Sequence, residues 1–181
     1  LTIMDMQLVR GSSLTGFGPL VTAHGGDPEA LLVLAGIDPS YAGHDDRYIP
    51  LRSAIAAVED AATVLGVPDF GRRLALRQSI DILGPVAVAA RTAATVADAF
   101  SILDTYMSSH SPGINARITS HADPAMRRFE YEFALTPSPP QAQAIELALG
   151  LTLQVLRLFL GTPYRPVAVH LPHPPLGTDS E

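Results

Sequence analysis

The spacing of apolar residues changes once along the chain, and that change limits the fold more than any other feature. Up to about residue 107 the apolar side chains recur every three or four positions, the period of a helix with one buried face. From Ile114 they alternate: Ile114, Ala116, Ile118 and Ser120 fall on one side, Asn115, Arg117, Thr119 and His121 on the other. Phe129, Tyr131, Phe133 and Leu135 then alternate with Arg128, Glu130 and Glu132. Period two places successive side chains on opposite faces of a strand, and the turn residues Ala122-Asp123-Pro124 make the two runs a hairpin with one apolar face. A two-stranded hairpin is marginal alone, so a third strand from Pro166 to His170 or Leu171 is expected to join it. A long helix starting at Ser138-Pro139 and running to Leu160 is expected to cover its apolar face. The expected fold class is α+β: an N-terminal bundle of short helices, then a small three-stranded antiparallel sheet in the order strand-strand-helix-strand, covered by the long helix. Residues 1–181 are read as a single domain, helical over 1–112 and α+β over 113–175.

The helices announce themselves by their ends. Ser13 precedes a stripe of Leu14, Phe17, Leu20 and Val21 that Gly25-Gly26 closes; Asp27-Pro28 pairs a capping acid with proline at the first helical position. A longer helix is expected from Pro50 to Leu65 with Leu51, Ile55, Val58 and Ala62 inward, stopped by Gly66 and Pro68. Asp69 reads as the N-cap of a helix ending near Gln78. Its Asp-Phe-Gly is not a kinase motif, because such a motif works only beside a phosphate loop and a strand lysine, and the chain has no lysine among its 12 basic residues. Val86 to Ala90 is apolar all round, which predicts a central helix buried on every side. Thr95-Val-Ala-Asp98 has the spacing of a capping box before Phe100, Leu103, Tyr106 and Met107.

Composition narrows the chemistry. A net charge of −6 with scattered arginines argues against nucleic-acid contact by this stretch, because phosphate contacts need clustered positive charge. There is no cysteine and no basic-then-apolar leader, no uninterrupted apolar run of about 18 residues spans a membrane, and a cytoplasmic location is the expectation. The chain opens without methionine and stops in LGTDSE without capping or packing logic, which reads as a piece of a longer protein.

Several stretches in order, GFGPLVTAHGGDPEALLVLAGIDP (16–39), IPL (49–51), PDFGRRLALRQSIDILGPV (68–86), AATVADAF (93–100) and the piece from His170 to Asp179, give the chain a family likeness. It resembles the N-terminal effector and dimerisation domain of AraC-type transcription regulators, in the arabinose-binding-like branch that includes ornithine-utilisation and mycobacterial virulence regulators. The resemblance implies a small-molecule effector, a homodimer, no enzymatic activity, and a C-terminal helix-turn-helix DNA-binding domain that lies beyond this chain. It does not imply arabinose, because the sugar pocket of the arabinose regulator is an all-β jelly roll.

Candidate sites follow from the residues. Arg77 and Gln78 end a helix just before the apolar Val86 segment, where a polar pair could point inward; Tyr106 and His110 sit at i and i+4 where helix meets hairpin, and Tyr131 lies on the apolar strand face. These five are the candidate effector-binding residues, with plain core packing as the competing reading of the aromatics. The long helix carries a stripe of Ile145, Leu149, Leu153, Leu156 and Leu160 for the sheet, and a surplus in which Leu151, Val155, Leu158 and Phe159 either meet a second copy of the chain or pack on the N-terminal helices. No metal is expected at His170 and His173, three apart on a strand and so on opposite faces, and no cofactor is implied. Two rivals to a sensor remain: a small enzyme using His110 or the Asp45-Asp46 turn, and a ligand-free protein-interaction module. An apolar interior cavity separates the sensor from both.

Overall fold

A computed structural model describes residues 7–177, the side chains of residues 108–110 excepted. The chain begins with β1 (Leu8–Arg10), which pairs antiparallel with β2 (Tyr48–Pro50) so that buried Val9 faces buried Ile49. Three-residue strands are too short to show a period, and the sequence reading missed this pair. The excursion between them holds a 3-10 turn (Gly11–Leu14), α1 (Phe17–Ala23), α2 (Pro28–Leu34) and a second 3-10 turn (Pro39–Tyr41). Asp27 caps α2 as its sequence predicts, its Oδ1 accepting from Glu29 N at 3.0 Å and Ala30 N at 3.2 Å. The fully buried α1 ring Phe17 meets Phe70 edge-to-face at 5.8 Å, a geometry worth about 0.5–1.5 kcal/mol beyond area burial.

The long helix α3 (Leu51–Leu65) buries Leu51, Ala54, Ile55, Ala57, Val58, Ala61 and Ala62, and ends at Gly66, whose φ of 64° is the left-handed cap that glycine adopts at least cost. It is followed by α4 (Phe70–Ala75), a 3-10 turn (Ile80–Leu83), α5 (Pro85–Arg91) and α6 (Val96–His110). Thr95 Oγ1 accepts from Asp98 N at 3.1 Å, so the predicted cap of α6 forms. Asp69 departs from expectation. It precedes α4, but its carboxylate makes no capping bond and instead accepts from Arg73 Nε at 2.7 Å, because a charged partner one turn on outcompetes backbone amides. Nor is α5 central: Val86, Ala87 and Ala90 are buried while Val88 is 66% exposed. Its composition is apolar on all sides, but it packs mainly on α6 and the preceding 3-10 turn, leaving one side to solvent.

The period-two segments form β3 (Ile114–Ser120) and β4 (Arg127–Phe133), in register Ile114 to Phe133, Ala116 to Tyr131 and Ile118 to Phe129, which is the predicted apolar face. The third strand does not form. Residues 166–171 carry no strand and are exposed, Val167 at 84%, so both sheets among the described residues have two strands. Prolines at 163, 166 and 172 remove ladder donors and leave the segment unpaired.

The helix α7 (Ala142–Leu160) packs on α4, α3, α6 and the 3-10 turn at Ile80–Leu83. Its N-terminus is not capped by Ser138. Glu59, on α3, supplies the cap from a distance: Oε1 accepts from Gln143 N at 2.7 Å and Ala144 N at 3.1 Å. The side chain of Gln143 completes a junction with α4, its Oε1 accepting from Gly71 N at 2.8 Å and its Nε2 donating to Pro68 O at 2.7 Å. A Cβ on Gly71 would run into the Gln143 carbonyl, so the glycine of the Asp-Phe-Gly run is there to let two backbones touch.

The phase of α7 departs from the sequence reading. Ala144, Leu147, Ala148, Leu151 and Val155 line the interior space described below, whereas of the expected stripe Ile145, Leu149 and Leu153 do not, Leu156 packs against the buried residues around α5 and α6, and Leu160 is exposed. A helix rich in leucine on most sides does not declare its phase; its small residues do, since Gly150 stands directly against Ala75. By length and composition α7 is also apolar enough to cross a membrane, yet its inner face belongs to the interior described next.

Candidate functional site

Two sets of buried residues make up the interior. One gathers around α1, α2, α3 and α4 with Ile114, Leu135 and Ala144; the other joins the 3-10 turn at Ile80, α5, α6 and Val155. Between them lies a cavity of about 120 Å³. Its walls are Leu51, Ala54, Ile55 and Val58 from α3, Phe100, Leu103 and Met107 from α6, and Ala116, Phe129, Tyr131 and Phe133 from the hairpin. The inner face of α7 closes another side, and Val9, Ser13 and Leu14 a further one. The walls thus come from α3, α6, α7 and the hairpin together with the two 3-10 turns at Gly11–Leu14 and Ile80–Leu83, and the hairpin gives them its single apolar face.

Four polar side chains interrupt the lining: Ser13, Gln78, Tyr131 and Thr152. Thr152 is occupied, its hydroxyl donating to Ala148 O at 2.8 Å. Gln78, only 5% exposed, donates through Nε2 to Ser13 O at 2.9 Å and Thr15 O at 3.0 Å. Its Oε1 and the Oγ of Ser13 are buried without a hydrogen-bond partner. A buried polar atom left unpaired costs about 1–3 kcal/mol, so such atoms in a folded interior point to a role. Burial raises the Tyr131 phenol above its ordinary value, which keeps it a neutral O–H group at any physiological pH.

Of the five residues read from sequence as effector contacts, the cavity unites Gln78 and Tyr131. Arg77 is exposed and lines an open polar cleft on the opposite side of Gln78, with His44, Asp45, Ser79 and Asp81. Tyr106, 54% exposed on α6, is not in the lining, and the side chain of His110, the last residue of α6, lies outside the described residues. Sequence reasoning missed Ser13, which it read as a helix cap, and the alanines of α3 and α7 that make the space. Small residues at inward helical positions facing one another were the available signal. Among the four residues assigned to a dimer, Val155 is buried and Leu151 lines the cavity, Phe159 is half-buried against the second core set, and Leu158 is 50% exposed.

Asp81 is held below the ordinary carboxylate value by hydrogen bonds from Ser79 and Arg91, leaving it a paired, ionised surface group. Among the described residues no three His, Asp or Glu side chains converge as metal ligands. The exposed His170 and the partly buried His173 lie in the irregular segment after α7.

Comparison with known proteins places this geometry in context. Residues 25–181 match the family model described as the arabinose-binding domain of AraC transcription regulator, N-terminal. Over 173 residues, 96% of this chain, the sequence is 34% identical to the HTH-type transcriptional regulator VirS of Mycobacterium tuberculosis, in both strain CDC 1551 / Oshkosh and strain ATCC 25618 / H37Rv. The aligned part is 51% of each relative, so the chain spans about half the length of the curated relatives it matches.

Proposed function

Since the chain belongs to the family of arabinose-binding N-terminal domains of AraC transcription regulators, we propose that it is the effector-sensing and dimerisation part of such a regulator. In this reading residues 1–181 act as one sensing domain, and a helix-turn-helix domain C-terminal to it binds DNA in the cytoplasm. The observation that carries the reading is the apolar cavity between the two core sets. A ligand that fills it stabilises one arrangement of the two sets and so shifts an existing equilibrium felt by the DNA-binding part. Family membership points away from an enzyme.

The test fills the space. Ala148 lies on the α7 wall. In the full-length regulator, Ala148→Phe should abolish or lock the transcriptional response in a reporter assay while leaving DNA binding intact. A response indistinguishable from the parent would refute the sensing role of the cavity. For the homodimer, Leu158 is the exposed member of the expected set and Leu160 lies close by on the same helix end. Leu158→Glu should convert a sedimenting dimer to monomer; a parent that is already monomeric at micromolar concentration ends that part of the proposal.

A further inference from the structure

The wall of the cavity states what kind of molecule it can hold. No arginine, histidine, aspartate or glutamate is in the lining, and Arg77 belongs to the outer cleft. A carboxylate or ammonium entering this space would lose its hydration with no countercharge, at a cost that unpaired buried ions do not recover. The four polar side chains of the lining change little. Thr152 spends its hydroxyl on Ala148 O, and Gln78 its amide nitrogen on Ser13 O and Thr15 O. Gln78 Oε1 and Ser13 Oγ are buried atoms that present no surface to an occupant. Tyr131 adds a neutral ring, set edge-to-face on Phe133 at 5.2 Å. The several hydroxyls of a sugar would therefore give up water for at most one phenol. What the wall offers is hydrocarbon: Leu51, Ile55 and Val58 from α3, each no more than 2% exposed, and the rings of Phe100 and Phe129, edge-to-face at 5.9 Å. Water finds few partners in such a space, and moving an apolar body into it from solution is favourable in proportion to the area covered. A volume of about 120 Å³ is near that of an engineered apolar cavity that accepts benzene, so the occupant's buried body is on the order of one substituted ring.

We propose that the cavity binds an uncharged, hydrocarbon-like molecule, held by apolar contact with α3, α6, α7 and the hairpin and needing no polar partner. This rests on the sensing reading above and adds the ligand class to it.

The experiment compares probes of similar size on this chain by calorimetry and thermal shift at neutral pH: ethylbenzene, then benzylamine and benzoate, which put a positive or a negative charge on the same ring, and arabinose. Ethylbenzene should give a saturable heat and raise the melting temperature. The two ions and the sugar should bind at least about a hundredfold more weakly. Methyl NMR locates the binding without any substitution: on adding ethylbenzene the shifts should fall on Ile55, Leu103 and Leu151 in the wall and spare the exposed Val33, Leu76 and Val88. Ala148→Phe should remove the binding, and where that variant does not fold, the smaller filling Ala148→Leu should weaken it. Silence from ethylbenzene, or shifts as large at the exposed methyls as in the wall, overturns the proposal. A charged probe or arabinose that shifts the wall methyls overturns the ligand class and leaves the sensor standing. Silence from every probe, with the full-length response unchanged in Ala148→Phe, overturns both.

Discussion

Glu59 holds the N-terminus of α7 from another helix, and replacing it separates two physical effects. In Glu59→Ala both amides lose their acceptor; Gln143 and Ala144 are each 5% exposed, so water replaces it poorly. Losing a helix cap costs about 0.5–2 kcal/mol, and leaving a buried donor unpaired about 1–3. A net loss of about 3 kcal/mol is expected, which for a chain of this size is a melting temperature lower by roughly 6–12 °C. Glu59→Gln keeps an acceptor and removes only the charge. Burial raises the Glu59 carboxyl above its ordinary value, more than the two amide bonds lower it. The folded state thus holds this proton more tightly than the unfolded chain does. That contribution to stability is complete below the unfolded value near 4.5 and disappears as pH climbs through the raised folded value. Urea unfolding of parent and Glu59→Gln from pH 4 to pH 7 measures it, the other carboxylates cancelling in the difference. Stability of Glu59→Gln relative to the parent should rise with pH across that window. A relative fall would mean that cap and helix dipole outweigh desolvation, and the reasoning about burial would be wrong.

Two further substitutions test packing directly. Gly71→Ala should cost about 3 kcal/mol or more in denaturant unfolding, since the new methyl group collides with the Gln143 backbone where α4 meets α7. Gly18→Ala in α1, which meets nothing within 4 Å, is the control and should be neutral or stabilising by about 0.5–1 kcal/mol. Val88→Asp should change the unfolding free energy by no more than about 0.5 kcal/mol, as for other exposed positions; a loss of several kcal/mol would put α5 in the interior after all.

What could be read from sequence was local. Asp27 caps α2 and Thr95 caps α6 because a short side chain and the amides two or three residues on decide the matter by themselves. The hairpin was readable for the same reason, with seven-residue strands long enough to display their period. What was hidden depends on residues far apart. Glu59 caps a helix that starts more than eighty positions later, and Asp69 gives up its capping bond to Arg73. The phase of α7 follows from where Ala75 meets Gly150, and the expected strand at 166–171 did not form, its prolines lacking the donors that a ladder needs. Of the cavity, sequence supplied Gln78 and Tyr131 by position near a junction, but not Ser13, which it read as a helix cap.

The placement of α7 explains how a ligand in the interior would be felt outside it. One face of the helix lines the cavity through Leu147, Ala148, Leu151 and Val155. Its N-terminal end is tied to α3 and α4 by Glu59 and Gln143, whose hydrogen bonds tolerate little displacement. Farther along, Gln154 Nε2 bonds Ala75 O on α4. The segment after α7 is fastened back to α7 itself and to α4, Arg157 Nε donating to Tyr164 O at 3.3 Å and Arg72, which also faces Glu146, donating to Leu176 O at 2.7 Å. Filling the cavity presses on α7 between these fixings. A packed core answers such pressure by switching arrangement rather than by stretching, so the movement available is a pivot of α7 about its anchored N-terminus. Such a pivot moves the far end, Leu158 to Leu160, most, and so it also has to break the bonds of Gln154 to Ala75 O and of Arg72 to Leu176 O. On this geometry Glu59→Ala frees the pivot, and in the full-length regulator it should weaken effector response even at temperatures where the domain remains folded.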